Sequence, residues 1–169
     1  MYYEGRGTAR NYPEGTRWFR RAADAGLAQS QFSLAAMYEE GRGVEHDLKE
    51  ALRLRELAAR QGFAPARLVL GLMYRQGHGV ARDDAESVKW LQLAAAQGNY
   101  DAQFFLGIAY ANGQGVARDL VQAYVWLSRA ARSRNPDAVR ERDQLARRMT
   151  LDDLRRARLR NRGWRRAVR

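Results

Sequence analysis

The side chains most able to do chemistry are few. His46 and His78 are the only histidines, and each lies in or beside a Gly-x-Gly segment, 32 residues from the other. At that separation they read first as turn residues, with a metal or acid-base role the lesser expectation. There is no Cys, no His-Glu-x-x-His and no Gly-x-Ser-x-Gly, so thiol chemistry, a zincin site and a serine nucleophile elbow are not expected. Glu39-Glu40 and Asp83-Asp84 are adjacent carboxylates, but glycosidase-like chemistry needs two acids facing a shared pocket. They read instead as helix-end and solvated charges. The Gly-Arg-Gly and Gly-Gln-Gly segments resemble phosphate cradles only superficially, because no strand precedes them and no Gly-Lys-Ser/Thr follows. These residues predict no enzyme, no cofactor and no metal.

The remaining chemistry is cationic. Residues 1–131 hold 16 Lys and Arg against 14 acids, whereas residues 132–169 hold 14 Arg against five acids. Basicity is therefore a property of the C-terminal end. From Leu154 onward there are eight Arg and no acid, and Arg155, Arg156, Arg158, Arg160, Arg162, Arg165 and Arg166 form a candidate polyanion-binding set. Only Trp164 is available there for base stacking, and no helix-turn-helix or RNA-binding signature accompanies it. A basic capping helix is the simpler expectation, with nucleic-acid binding as the alternative.

Positioning those residues falls to a chain of 169 residues, 46% apolar and 29% charged, enough for one domain or one repeat array. No apolar run reaches the roughly 18 residues of a membrane span. The first residues carry no basic flank followed by an apolar run, so no secretion signal is visible. The compartment stays open: cytoplasmic as the chain stands, periplasmic if a signal segment precedes it.

Self-similarity appears at a spacing of 36 residues without insertion. Tyr2, Tyr38, Tyr74 and Tyr110 stand at that interval, as do Gly5, Gly41, Gly77 and Gly113, and Gly7, Gly43, Gly79 and Gly115. The ladder continues through Asn11, Asp47, Asp83 and Asp119, then Trp18, Leu54, Trp90 and Trp126. It closes on the pairs Ala22-Ala23, Ala58-Ala59, Ala94-Ala95 and Ala130-Ala131. Each unit reads as helix A, a Gly-x-Gly turn and helix B. Ala102, Leu106, Ala109 and Tyr110 recur at helical spacing before Gly113 breaks the helix. Helix B opens with a capping box: Asn11 with Glu14, Asp47 with Glu50, Asp83 with Glu86, and Asp119 with Gln122. Gly26, Gly62 and Gly98 end it. Two helices with one apolar stripe each cannot bury both alone, so neighbours must stack into a solenoid.

The segments Leu34-x3-Tyr38-x2-Gly41-x-Gly43-Val44-x2-Asp47, Leu70-Gly71-x2-Tyr74-x2-Gly77-x-Gly79-Val80-x2-Asp83 and Leu106-Gly107-x2-Tyr110-x2-Gly113-x-Gly115-Val116-x2-Asp119 resemble Sel1-like repeats, relatives of tetratricopeptide repeats. Departures are Ala35 where the family favours Gly, Leu54 in a Trp position and Thr8 in a Val position. The resemblance implies an all-α fold, a right-handed α-solenoid of stacked antiparallel helix pairs. Its expected extent is a repeat array over 1–134, with a half unit at 1–26, full units at 27–62, 63–98 and 99–134, and capping helices with an Arg-rich tail over 135–169. A cysteine-rich branch of the family has been linked with beta-lactam binding, but this chain lacks those cysteines.

Function under this resemblance is that of a non-catalytic scaffold whose helix A lines a concave face and binds a protein or peptide. The polar candidates are Gln29, Glu39, Glu40, Arg75, Gln76, Asp101 and Asn112, with Leu72 and Ile108 as apolar contacts. Phe32, Leu68 and Phe104 share that register but are expected in the core. At one end, Met1 occupies the position of Met37 and Met73, so the first unit lacks most of helix A. That predicts a missing upstream segment, or exposure of Trp18 and Phe19 and self-association there. At the other, Asn135-Pro136-Asp137-Ala138 repeats the register of Asn99 to Ala102, with a narrow stripe of Ala138, Leu145 and Met149. Thr150-Leu-Asp-Asp153 then opens a last helix containing Leu151, Leu154 and Leu159.

Overall fold

A computed structural model describes the backbone over residues 12–167 and side chains over 14–162. The described residues are helical, with no strand among them. They divide into two compact units, separated between Ala81 and Arg82. The first holds α1 (Tyr12–Asp24), α2 (Ala28–Glu40), α3 (Leu48–Arg60) and α4 (Ala64–Gln76). The second holds α5 (Asp84–Ala96), α6 (Tyr100–Asn112), α7 (Leu120–Ala130), a single 3₁₀ turn (Ala131–Ser133), α8 (Pro136–Ala146) and α9 (Leu151–Ala167). Helices α2, α4 and α6 are the expected A helices, and α1, α3, α5 and α7 the B helices.

The cap at the start of helix B is only half the expected box. Asp47 Oδ1 accepts from the amides of Lys49 and Glu50 at 2.9 and 3.1 Å, and Asp83 and Asp119 accept from Glu86 and Gln122, each at 2.9 Å. The return bond is replaced. The amide of Asp47 donates to the Tyr38 carbonyl and that of Asp119 to the Tyr110 carbonyl, both at 3.0 Å, so no acid needs to reach back. Glu50 is consequently free to accept from Arg53 at 2.7 and 2.8 Å, and Glu86 pairs with Lys89 at 2.7 Å. The turn thus locks the end of helix A to the start of helix B through backbone alone.

Small residues set the distance between helices. Ala58, Ala59, Ala94 and Ala95 are fully buried, and a Cβ on Gly107 would meet Leu127 Cγ at 2.7 Å, so α7 can approach α6 only over that glycine. The turn glycine Gly115 has φ +66°, and a Cβ there would fall 2.0 Å from the Asp84 carbonyl oxygen at the start of α5. In the first unit, Leu34, Met37 and Leu54 form a core with Ala23, Ala35 and Ala51, against which Phe19, Tyr38 and Val44 pack. In the second, Leu127 and Leu145 close over Ala123 with Phe104, Ile108 and Tyr110 beside them.

The C-terminal helices follow the expected cap in outline. Asn135 accepts from the amide of Asp137 at 2.9 Å, Pro136 begins α8, and Ala138 and Leu145 are buried. Helix α9 starts where the Asp153 amide donates to Thr150 Oγ1 at 3.1 Å. It leans on α7 through Ala157, buried against Val121 and Val125. Arg129 on α7 stacks over Trp126 at 4.5 Å and donates to Asn161 Oδ1 at 3.2 Å, tying the two helices together. Leu151 and Leu159 of this helix are 74% and 64% exposed. The contact is made by the small Ala157, which is what lets α9 lie close.

Candidate partner-binding surfaces

In the first unit, α2 and α4 carry six of the candidates. Gln29, Glu40 and Gln76 are exposed, and Leu72, Arg75 and Glu39 are half-buried. Glu40 pairs with Arg42 Nε at 2.8 Å on the surface. Glu39 is differently placed. Its Oε2 accepts from Arg55 of α3 and its Oε1 lies 3.2 Å from His78 Nε2 in the turn after α4. Arg55 is 3% exposed, its Nη1 sits 3.8 Å from Met73 Sδ, and its Nε is buried without a hydrogen-bond partner. Burial raises the Glu39 pKa, but the Arg55 bond and charge, followed by His78, outweigh it, leaving the carboxyl below its ordinary 4.5. Glu39 is therefore part of an internal ion-pair cluster, which the choice of groove positions by register alone did not anticipate.

The signal was present in the repeat. Arg55 stands in the register of Phe19, Leu91 and Leu127, and the last two are core residues only 1% exposed. A charged residue in an otherwise apolar rung requires a partner, and Glu39 supplies it. A second feature missed from sequence recurs at residues 31, 67 and 103. The side chains of Gln31, Arg67 and Gln103 donate to the carbonyls of Ala23, Ala59 and Ala95 at 3.2, 3.0 and 3.1 Å, sealing the end of the preceding helix. Phe32 stacks edge-on against Phe63 at 5.4 Å, consistent with a packing role at that register.

In the second unit, Asp101 and Asn112 are exposed on α6, and Ile108 is half-buried against the Leu127 cluster. Ile108 and Asn112 share a small cavity, about 80 Å³, with Glu141, Gln144 and Arg148 of α8. The basic candidates lie on α9. Arg155 pairs with Asp152 at 3.2 Å and Arg156 with Asp153, while Arg158, Arg160 and Arg162 are exposed. Arg165, Arg166 and Trp164 lie outside the residues whose side chains are described, and the first-unit residues Tyr2, Gly5, Gly7 and Asn11 lie outside the described backbone. Trp18 is 56% exposed with Arg21 over its ring at 5.3 Å, while Phe19 packs inward. His46 is exposed, and the described residues contain no group of three His, Cys, Asp or Glu arranged for a metal. No helix among them is long and apolar enough to cross a membrane.

Successive two-helix units with repeating caps, turns and carbonyl seals define a helical-repeat protein. A family model described as Sel1 repeat matches residues 1–27, 28–63, 64–99 and 101–135. The chain belongs to the Sel1 repeat family, whose members are generally protein-interaction scaffolds. Solved structures agree on the fold. A protective antigen present in uropathogenic Escherichia coli strains, displaying an SLR fold, is 41% identical with a TM-score of 0.78 over 81% of this chain. A Sel1 repeat protein from Oxalobacter formigenes is 34% identical with a TM-score of 0.75 over 82%. The aligned regions span 29% and 56% of those two chains respectively. Cysteine rich protein B of Helicobacter pylori shares the fold at 18% identity and a TM-score of 0.60, over 77% of this chain and 93% of its own. No curated protein matches the chain.

Proposed function

We propose that the chain is a non-catalytic scaffold that holds a protein or peptide partner on the exposed faces of its A helices. One observation carries this reading. Glu40, Gln76 and Asn112 occupy the same register, each as the last residue of an A helix, and all three are exposed. The turn glycines, Asp caps and carbonyl seals recur from unit to unit, whereas these three positions differ in chemistry. Gln29 and Asp101 add polar contacts near the start of α2 and α6, and Leu72, Arg75 and Ile108 supply half-buried flanks. Glu39 serves the reading indirectly, by fixing Arg55 and the turn beneath the face.

The test is a combined variant, Glu40→Lys, Gln76→Glu, Asp101→Lys and Asn112→Asp, which avoids every buried group. Such surface changes alter stability by about 0.5 kcal/mol or less each. Recovery of the native partner from host extract should drop about tenfold or more while thermal unfolding stays close to wild type. Undiminished recovery would refute the assignment.

A further inference from the structure

One cavity in the second unit lies away from the A-helix candidates. It measures about 540 Å³, is open to solvent, and is lined by the turn before α7, the first turn of α7, and α9. That size falls within the range of pockets that take small molecules or single peptide side chains. Val116 and Leu120 give it an apolar wall, and Arg118, Arg156 and Arg160 give it a cationic one. Two acids also line it, but both are committed. Asp119 accepts from the Gln122 amide at 2.9 Å, and Asp153 accepts from the Thr150 hydroxyl at 2.8 Å and from Arg156. Arg118 donates through Nε to the Ala111 carbonyl at 3.2 Å, which holds the guanidinium in place and leaves its Nη groups for another acceptor. Arg160 is exposed and has no ion-pair partner among the described residues.

We propose that this cavity binds an acidic peptide segment of a partner protein, taking one carboxylate between Arg118 and Arg160 and an adjacent apolar side chain against Val116 and Leu120. Guanidinium groups converging on a carboxylate give short, directional, charge-assisted bonds. Tyr110 is the one aromatic lining residue, so the cavity offers no stacked platform for nucleic-acid bases. The exposed Leu151 and Leu159 do not line it, which separates the cavity from any lipid-facing use of α9. Neither Asp101, Ile108 nor Asn112 lines it, so this surface is independent of the A-helix reading.

A fluorescein-labelled short peptide of alternating Leu and Glu tests the proposal by fluorescence polarisation on the full chain at about 0.15 M salt. Its Leu-Gln analogue, an oligothymidine and vesicles containing phosphatidylserine are the comparison probes. The Glu peptide should bind, and the Gln analogue should bind at least about tenfold more weakly. Arg160→Ala and Arg118→Ala should each weaken the Glu peptide several-fold with an unchanged thermal melt. Arg155→Ala, Arg158→Ala and Arg162→Ala, on α9 but outside the cavity, should leave it within about twofold. Affinity weaker than about 1 mM for the Glu peptide would overturn the proposal. So would an equal loss in the outward variants, or tighter Arg160-dependent binding of the oligonucleotide or vesicles.

Discussion

At the scale of single residues, the cluster of Glu39, Arg55 and His78 makes the sharpest demand on the sequence. Arg55 occupies a rung that Leu91 and Leu127 fill with hydrocarbon, so its charge has been taken out of water and depends on Glu39. Removing one partner of such a pair is more damaging than replacing the buried member by an apolar residue. Glu39→Ala should cost about 2–3 kcal/mol in urea unfolding, whereas Arg55→Leu, alone or with Glu39→Ala, should stay nearer wild type. Equal costs for the two single variants would mean that the pair is not the controlling interaction. The depressed Glu39 pKa sets the direction with pH. The pair's stabilisation is present above the ordinary carboxyl value of 4.5 and is lost as pH falls through the lower folded-state value. Glu39→Gln should therefore flatten the acid limb of the melting-temperature profile. The apolar register of residue 55 was readable in the sequence, since the exception stands out against Phe19, Leu91 and Leu127. Its partner was not, because Glu39 and Arg55 meet only once α2 and α3 pack side by side.

At the scale of elements, the caps and turns were readable because four copies repeat them, while their close approaches were not. Asp47, Asp83 and Asp119 cap as their position dictates, yet the amide of Asp47 is held by Tyr38, a bond that exists only after the Gly-x-Gly turn has formed. The end of helix B shows the same logic where the ladder lapses. Gly26, Gly62 and Gly98 have φ near +90°, and the next residue in register, Arg134, takes φ +62°, the one non-Gly residue with positive φ among those described. The glycines are nevertheless not equivalent. A Cβ at Gly98 would meet nothing within 4 Å, whereas one at Gly115 would strike the backbone of Asp84. Gly98→Ala should cost about 1 kcal/mol from backbone strain alone. Gly115→Ala should cost about 3 kcal/mol or more, because backbone cannot swing aside as a side chain does. Urea midpoints of the two variants measure the difference, and equal costs would count against a close turn-to-helix contact.

At the scale of the whole molecule, a two-helix unit with a fixed period left the fold class legible from spacing alone, and the Sel1 repeat match agrees. What a scaffold of this kind binds was less legible. Packing residues recur and reveal themselves by recurrence, whereas the proposed contact positions Glu40, Gln76 and Asn112 differ from unit to unit. The cavity beside α9 was hidden for a further reason, since Arg118 and Arg160 lie far apart in the chain and come to line one cavity only through the docking of α9 on α7. Site-specific photo-crosslinking in host cells tests the scaffold function most directly, with the photoreactive residue placed in turn at Gln29, Gln76, Asp101 and Asn112 on A helices and at Arg53, Arg60 and Lys89 on B helices. Contact through the A faces predicts a shared crosslinked polypeptide from the first set and little or none from the second. The same product at equal yield from the B-helix positions, or none from the A-helix positions, would contradict it.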